Sequence, residues 1–126
     1  MHPFRAAVEA RDAEAAAAVL DDDVVFSSPI VFKPYVGKDA AAAVITAALR
    51  VFEDFAYETE LASADGRDHA LMFHARVDRK DIQGCDFLRH GEDGQVDQLT
   101  VMVRPLSAAL ALRDRMAAQL AAHGVS

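Results

Sequence analysis

Few side chains in this sequence could bind a metal ion, and the histidines among them are scattered along it. His69 and His74 lie five residues apart on a predicted strand, so they face opposite sides of it and are not expected to share a metal ion. His2 and His123 lie near the ends of the sequence, where we expect solvated side chains. We therefore predict no metal site and no cofactor.

A single thiol and several carboxylates are the remaining reactive groups. Cys85 is the only cysteine, which excludes an internal disulfide and a cysteine zinc cluster. The acidic run at 21–23 is expected to be a solvated turn, because the spacing of a calcium-binding loop is missing. Asp86 and His90 share one face of a predicted strand, but four residues span roughly 13 Å, too far for direct contact.

Composition limits the classes of function. The chain has 126 residues, with 13 basic and 20 acidic side chains, a formal charge of −7 and 52% hydrophobic residues. One domain is expected at this length, and the acidic balance argues against nucleic-acid binding. No uncharged apolar run approaches the roughly 18 residues that a membrane span needs. Because residues 1–5 lack an apolar signal core, we expect a cytoplasmic protein.

Helices dominate the first half of the sequence. Two short helices are predicted, one starting near Pro3 and one over 13–20 with Asp12 as its N-cap. A longer helix is predicted behind Asp39, with an apolar stripe that continues from Val44 to Phe55. Residues 24–26 form a short predicted strand, and 29–37 a loop.

Alternating hydrophobicity predicts strands over the second half. The expected strands are 57–64, 69–78, 84–90 and 96–104, with turns at 65–66, 79–81 and 93–94. A helix over 106–123 follows Pro105. The expected fold is α+β: a cone-shaped, curved antiparallel sheet packed against N-terminal helices, with an additional C-terminal helix. We expect a single domain over 1–126 with its core at 3–105. The terminal helix could close the mouth of the cone or pack on a partner subunit.

Three local patterns in this order resemble the nuclear transport factor 2-like superfamily, in its SnoaL-like and ketosteroid-isomerase-like branch. They are Arg11-Asp12-Ala13 followed by 20–26, Ser28-Pro29 followed by 35–39, and the segment 86–89 followed by 92–96. The resemblance covers residues 3–105 and implies a cystatin-like α+β roll around a pocket. This superfold hosts isomerases, cyclases, hydrolases, dehydratases and binding modules, so it does not select one chemistry.

The resemblance implies that Asp86 points into this pocket. Strand alternation then places apolar side chains around it, and the expected ligand contacts are Phe4, Ser28, Tyr35, Tyr57, Phe73, Leu88, Leu99, Val101 and Val103. A carboxyl group in such surroundings has a raised pKa and can serve as a general base or hydrogen-bond donor. The alternative is a structural Asp86, satisfied by Arg89 or Tyr57.

The sequence departs from the isomerase pattern at two of three catalytic positions. By resemblance, the catalytic base falls on Ser28 and the oxyanion-binding tyrosine on Phe4, and neither side chain can perform that role. Steroid isomerisation is therefore not expected. Asp86 with Arg89 is also too little for the Asp-Arg-Asp arrangement of limonene epoxide hydrolases.

We consequently expect a pocket for a hydrophobic small molecule, turned over by Asp86-assisted isomerisation, cyclisation or dehydration. The alternative is a non-catalytic dimeric ligand-binding or assembly module that lacks the isomerase site. In both cases we expect a homodimer through the outer sheet face, which carries Met72, His74, Arg76, Thr100 and Met102.

Overall fold

The computed structural model describes residues 1–122. Its helices and strands follow the expected order, except that a short strand lies at the end of the loop predicted over 29–37. The helices of this part of the chain are α1 (Pro3–Glu9), α2 (Ala13–Ala18), α3 (Lys38–Val51) and α4 (Leu106–Ala122). The strands are β1 (Leu20–Ser27), β2 (Tyr35–Val36), β3 (Glu53–Ala62), β4 (Asp68–Val77), β5 (Lys80–His90) and β6 (Val96–Arg104). The α+β class is confirmed.

The strands form one open sheet in the order β2-β1-β6-β5-β4-β3. β3 to β6 are joined as an antiparallel meander, but β1 pairs parallel with β6. The predicted antiparallel meander is confirmed, and the parallel β1–β6 pair, which was not predicted, makes the sheet as a whole mixed. Turn residues in the sequence indicate antiparallel hairpins, whereas a parallel pair between distant segments leaves no such local signal.

The first helix begins with a histidine cap. His2 accepts a hydrogen bond from the backbone N–H of Phe4 through Nδ1 at 3.0 Å, and Pro3 occupies the first turn. His2 is only 4% exposed, so the expectation of a solvated His2 is wrong; its capping role holds it against the protein. Asp12 caps α2 as predicted, accepting from the N–H of Ala15 at 3.0 Å. His123 lies outside the described residues.

The acidic run at 21–23 lies in β1 and is not a turn. The helix ahead of it ends at Ala18, two residues earlier than expected. The β1–β6 register shifts between Leu20 and Val25, so the acidic residues occupy an irregular part of the strand where Asp22 and Asp23 stay exposed. Solvation of these two carboxylates was expected; their strand conformation was not.

The long helix α3 is displaced from its predicted boundaries. Gly37, with φ at 100°, is the N-cap, and Asp39 lies within the first turn. The helix stops at Val51, and Phe52 already has extended backbone. Phe55 therefore belongs to β3, and the apolar stripe predicted to continue to it is wrong in its last part. Nothing in the residue types between helix and strand marks the change, because neither Gly nor Pro separates them.

A tight turn joins β4 to β5. Asp78 and Arg79 have φ of 49° and 67°, the conformation of a two-residue hairpin turn that matches strand twist. As a result β5 starts at Lys80, four residues before the predicted start, and the predicted bend at 79–81 is wrong. The register places Leu71 opposite Asp86 on the neighbouring strand.

The inner face of the sheet is the predicted one. Alternate residues of β4 (Leu71, Phe73, Ala75 and Val77) are buried. Phe73 lies opposite Gly84, and a Cβ at Gly84 would stand 2.3 Å from Cζ of the Phe73 ring. Glycine at this position thus lets an aromatic ring lie directly across β5, beside Asp86.

The C-terminal helix α4 packs on its own chain. Ala108, Leu112 and Leu120 are buried against the sheet and α3; the predicted end at residue 123 falls outside the described residues. Within residues 1–122, no helix has the length and apolarity that crossing a membrane requires.

Candidate functional site

A cavity of about 290 Å³ lies between the inner face of the sheet and the helices α1, α3 and α4. Apolar side chains form most of its wall, including aromatic rings from Phe52, Phe55 and Phe73. Stacking of Phe55 on Phe73, with ring centroids 4.8 Å apart, orders this side. Such a volume lies at the lower end of the range of small-molecule sites.

Asp86 and Tyr57 form a buried pair on the cavity wall. The Tyr57 hydroxyl donates to Oδ2 of Asp86 at 2.7 Å, and Asp86 is 6% exposed. Tyr57 is therefore the partner that the structural alternative required, while Arg89 points to Asp68 at the surface. Because both residues also line the cavity, the hydrogen bond and a role in chemistry are compatible.

Burial controls the protonation of this pair. Desolvation raises the pKa of Asp86 from 3.8 to about 7, and the hydrogen bond from Tyr57 opposes that shift only in part. Burial, followed by the charge of Asp86, raises the pKa of Tyr57 far above its ordinary value. Near neutral pH the carboxyl group thus exchanges between two protonation states, while the phenol stays protonated.

An irregular edge strand positions Tyr57. The β3–β4 register shifts between Tyr57 and Thr59, and such a bulge changes which face a side chain takes. Tyr57 pairs with Phe73, which in turn lies opposite Gly84 on β5. Through these pairings the hydroxyl of Tyr57 on the edge strand β3 reaches the carboxyl group of Asp86 on β5, two strands away.

Most of the residues expected from the sequence line the cavity. Those that do are Phe4, Ser28, Tyr35, Tyr57, Phe73, Asp86, Leu99 and Val101. Leu88 is buried in the hydrophobic core and Val103 packs against the core at the other end of the sheet; neither belongs to the lining. Alternation along a strand predicts the face of the sheet on which a residue lies, but not whether the cavity extends to that residue.

Two arginines of the lining were not expected. Arg11, in the left-handed region with φ at 56°, donates to the carbonyl oxygen of Leu49. Arg113 of α4 lines the cavity together with Leu112 and Met116. The helical periodicity of α4 was visible in the sequence, but its docking site was not. Lys33, in the loop between β1 and β2, is exposed and does not line the cavity.

Known proteins resemble this chain both in sequence and in structure. The model of the SnoaL-like domain matches residues 2–99. A steroid delta-isomerase from Pseudomonas aeruginosa is 40% identical, with a TM-score of 0.90 over 95% of this chain and 88% of its own. An uncharacterised protein with a cystatin-like fold from Silicibacter pomeroyi is 33% identical, with a TM-score of 0.89 over 96% and 87%.

More distant structures share the fold alone. The epoxide hydrolase/cyclase-like enzyme SalBIII is 14% identical, with a TM-score of 0.67 over 83% of this chain and 87% of its own. No curated protein matches this chain significantly in sequence.

Proposed function

This chain belongs to the SnoaL-like domain family, and from that premise we propose that its cavity binds an apolar small molecule with a carbonyl group, on which Asp86 acts by proton transfer. The observation that carries the proposal is the buried Asp86–Tyr57 hydrogen bond on the wall of an apolar cavity. The reaction class is isomerisation, cyclisation or dehydration next to the carbonyl.

Asp86 is suited to both directions of proton transfer. Its pKa of about 7 supplies a base and an acid at the same pH, the condition under which general acid–base catalysis is most effective. The carboxylate takes a proton from the carbon next to the carbonyl, and the C–H electron pair moves to form an enolate. The protonated carboxyl group then returns the proton to carbon, while Tyr57 holds the carboxyl group in place.

A single acid limits the stereochemistry. Among the described residues that line the cavity, Asp86 is the only carboxylic acid. The same group must therefore remove and return the proton, on the same face of the substrate. The name of the steroid delta-isomerase relative supports an isomerase, but Ser28 and Phe4 stand where proton-carrying and oxyanion-binding groups would be needed, so we do not propose a steroid substrate.

Binding of 2-naphthol, a planar alcohol that resembles an enol, tests the proposal. We expect titration calorimetry to show one molecule bound per chain. Asp86→Asn should weaken binding by about tenfold or more, because a hydrogen bond to a charged group contributes roughly 1.5–3 kcal/mol. Asp81→Asn is the matched control, since Asp81 lies on the same strand but is exposed and pairs with His74. Failure of the wild type to bind, or equal binding by Asp86→Asn, would contradict the proposal.

A homodimer through the outer sheet face is proposed for either candidate function, the catalytic one or a non-catalytic binding or assembly module. Met102 is 60% and Phe87 43% exposed there. A homodimer through this face predicts a doubled mass in light scattering, and Met102→Glu should shift it to the monomer. Leu106→Glu, at an exposed position on α4, is the control. A wild type that stays monomeric at high concentration would refute this dimer.

A further inference from the structure

Three histidines meet at the end of the sheet where β4 begins and β5 ends. His69 comes from β4, His90 from the end of β5, and His2 caps α1 from the other side. One ring nitrogen from each lies within 4.8 Å of the others, and the ring centroids are 4.6 to 5.2 Å apart. None of the three lines the cavity, so this cluster is separate from Asp86.

In two of these rings, hydrogen bonds to backbone carbonyl oxygens identify the nitrogen that carries the proton. Nε2 of His69 is 2.9 Å from the carbonyl oxygen of Gly66, and Nδ1 of His90 is 2.6 Å from that of Gly94. A carbonyl only accepts, so these nitrogens carry the hydrogens. The opposite nitrogens, Nδ1 of His69 and Nε2 of His90, therefore present lone pairs. Nδ1 of His69 is buried and has no hydrogen-bond partner in the described part of the chain.

The third ring, that of His2, has Nε2 directed at His90. Nδ1 of His2 accepts from Phe4, so Nε2 carries the hydrogen and stands 2.8 Å from Nε2 of His90. To ligate through Nε2, His2 must move its proton to Nδ1 and release the Phe4 N–H.

We propose that Nδ1 of His69, Nε2 of His90 and Nε2 of His2 form a binding site for a divalent transition-metal ion, with Zn²⁺ the best match. Imidazole nitrogens suit Zn²⁺, Cu²⁺ and Ni²⁺ rather than the oxygen-seeking Mg²⁺ and Ca²⁺. Three histidines with an open fourth position are an established zinc arrangement. Carbonyl partners behind His69 and His90 are the outer-shell contacts that ligating histidines usually have.

The observed separations are close to what such an ion requires. Tetrahedral Zn²⁺ with Zn–N distances of about 2.0–2.1 Å places its nitrogens about 3.3 Å apart. The pair His2–His90 must therefore open from 2.8 Å, and one nitrogen of each ring already lies within 4.8 Å of the other two. Side-chain rotation supplies movements of this size. Nearby, Glu60 accepts from the backbone N–H of His2 at 3.0 Å and pairs with Arg5.

The site would join three elements that are otherwise distant in the sequence. It would tie the start of α1 to the ends of β4 and β5, next to the core but outside the cavity. Because it lies outside the cavity, the site does not depend on the proposed reaction.

Zinc titration of the untagged, EDTA-treated protein tests this proposal. We expect calorimetry to show one Zn²⁺ per chain. His69→Gln and His90→Gln should each weaken Zn²⁺ binding by roughly 100-fold or more, because loss of an outer-shell partner alone costs 10- to 100-fold. His2→Asn removes the imidazole but keeps a side chain that caps helices well, so its weaker binding would reflect the lost ligand. His74→Gln, on the outer face, is the matched control and should bind as the wild type does.

Two further measurements separate ligation from unfolding. Circular dichroism of the metal-free variants checks their fold, and visible absorption of Co²⁺ added to the wild type should show a tetrahedral spectrum that the His69 and His90 variants lack. Zn²⁺ should also raise the melting temperature of the wild type, because a ligand of the native state stabilises it by mass action. No Zn²⁺ binding by the wild type, or unchanged binding by the double variant His69→Gln/His90→Gln, would overturn the site.

Discussion

Asp86→Asn is expected to slow the exchange of carbon-bound hydrogen next to a carbonyl by about 10²- to 10⁴-fold, the usual contribution of a general acid–base. The wild type should accelerate the uptake of deuterium from D₂O by 2-cyclohexenone, followed by proton NMR. Exchange reports the removal and return of the proton without requiring knowledge of the natural product. The amide of Asn retains an acceptor for Tyr57 but cannot take up a proton.

Asp81→Asn makes the same change in charge on the same strand, at an exposed position, and should leave the exchange rate unchanged. Circular dichroism and the melting temperature of both variants establish that each is folded. If Asp86→Asn exchanges deuterium at the wild-type rate, Asp86 is not the acid–base group of this cavity.

The wild type should lose stability relative to Asp86→Asn as the pH rises from about 4 to above 7. The pKa of Asp86 is 3.8 when unperturbed and about 7 in the folded protein. Between these values the unfolded chain has released a proton that the folded chain still holds, so the free energy of unfolding falls with pH. At about 1.4 kcal/mol per pH unit, the whole effect is on the order of 4 kcal/mol.

Urea unfolding of both proteins at pH 4.5, 6 and 8 measures this difference. The wild-type curve alone is not sufficient, because His2 works in the opposite direction. Its folded pKa is lowered from 6.5 to about 4, so it makes stability rise with pH over that range. Subtracting the Asp86→Asn curve removes the contribution of His2 and of every other group common to both proteins.

Tyr57→Phe provides a second variant for the same measurement. Loss of the donated hydrogen bond should raise the pKa of Asp86 further, because Tyr57 stabilises the carboxylate, and the fall in stability should then extend to higher pH. A difference between wild type and Asp86→Asn that does not change with pH would contradict a raised pKa at Asp86.

Local patterns predicted much of the fold. Alternation along β4 placed Leu71 and Phe73 on the buried face, and Asp12 was identified as a cap, because both depend on residues only a few positions apart. The end of α3 and the strand conformation of 21–23 were missed for the same reason. Helix and strand were both compatible with those residue types, and packing against distant elements decided between them.

The candidate site was likewise predicted only in part. Asp86 was assigned to the pocket by resemblance, and eight of the ten expected residues line the cavity. Leu88 and Val103 share the inner face but pack in or against the hydrophobic core instead of lining the cavity. The sequence contained a sign of the histidine cluster, because His69 lies on the same face as Leu71 and His90 on the same face as Asp86. The pair His69–His74 does not reveal the cluster, since these two residues face opposite sides of the strand.

The sequence by itself determined the α+β class, the family, the inner face of the sheet and the carboxyl group within it. The fold class and the inner face follow from periodicities and turns that act over a few residues, whereas the family and the inward-facing carboxyl group follow from the resemblance. Only the tertiary structure decided that β1 runs beside β6, that Tyr57 reaches Asp86, 29 positions away, and that His2 reaches His90, 88 positions away. Such contacts depend on strand register, on the bulge in β3 and on the docking of α1, which arise when distant segments pack together to bury their apolar faces.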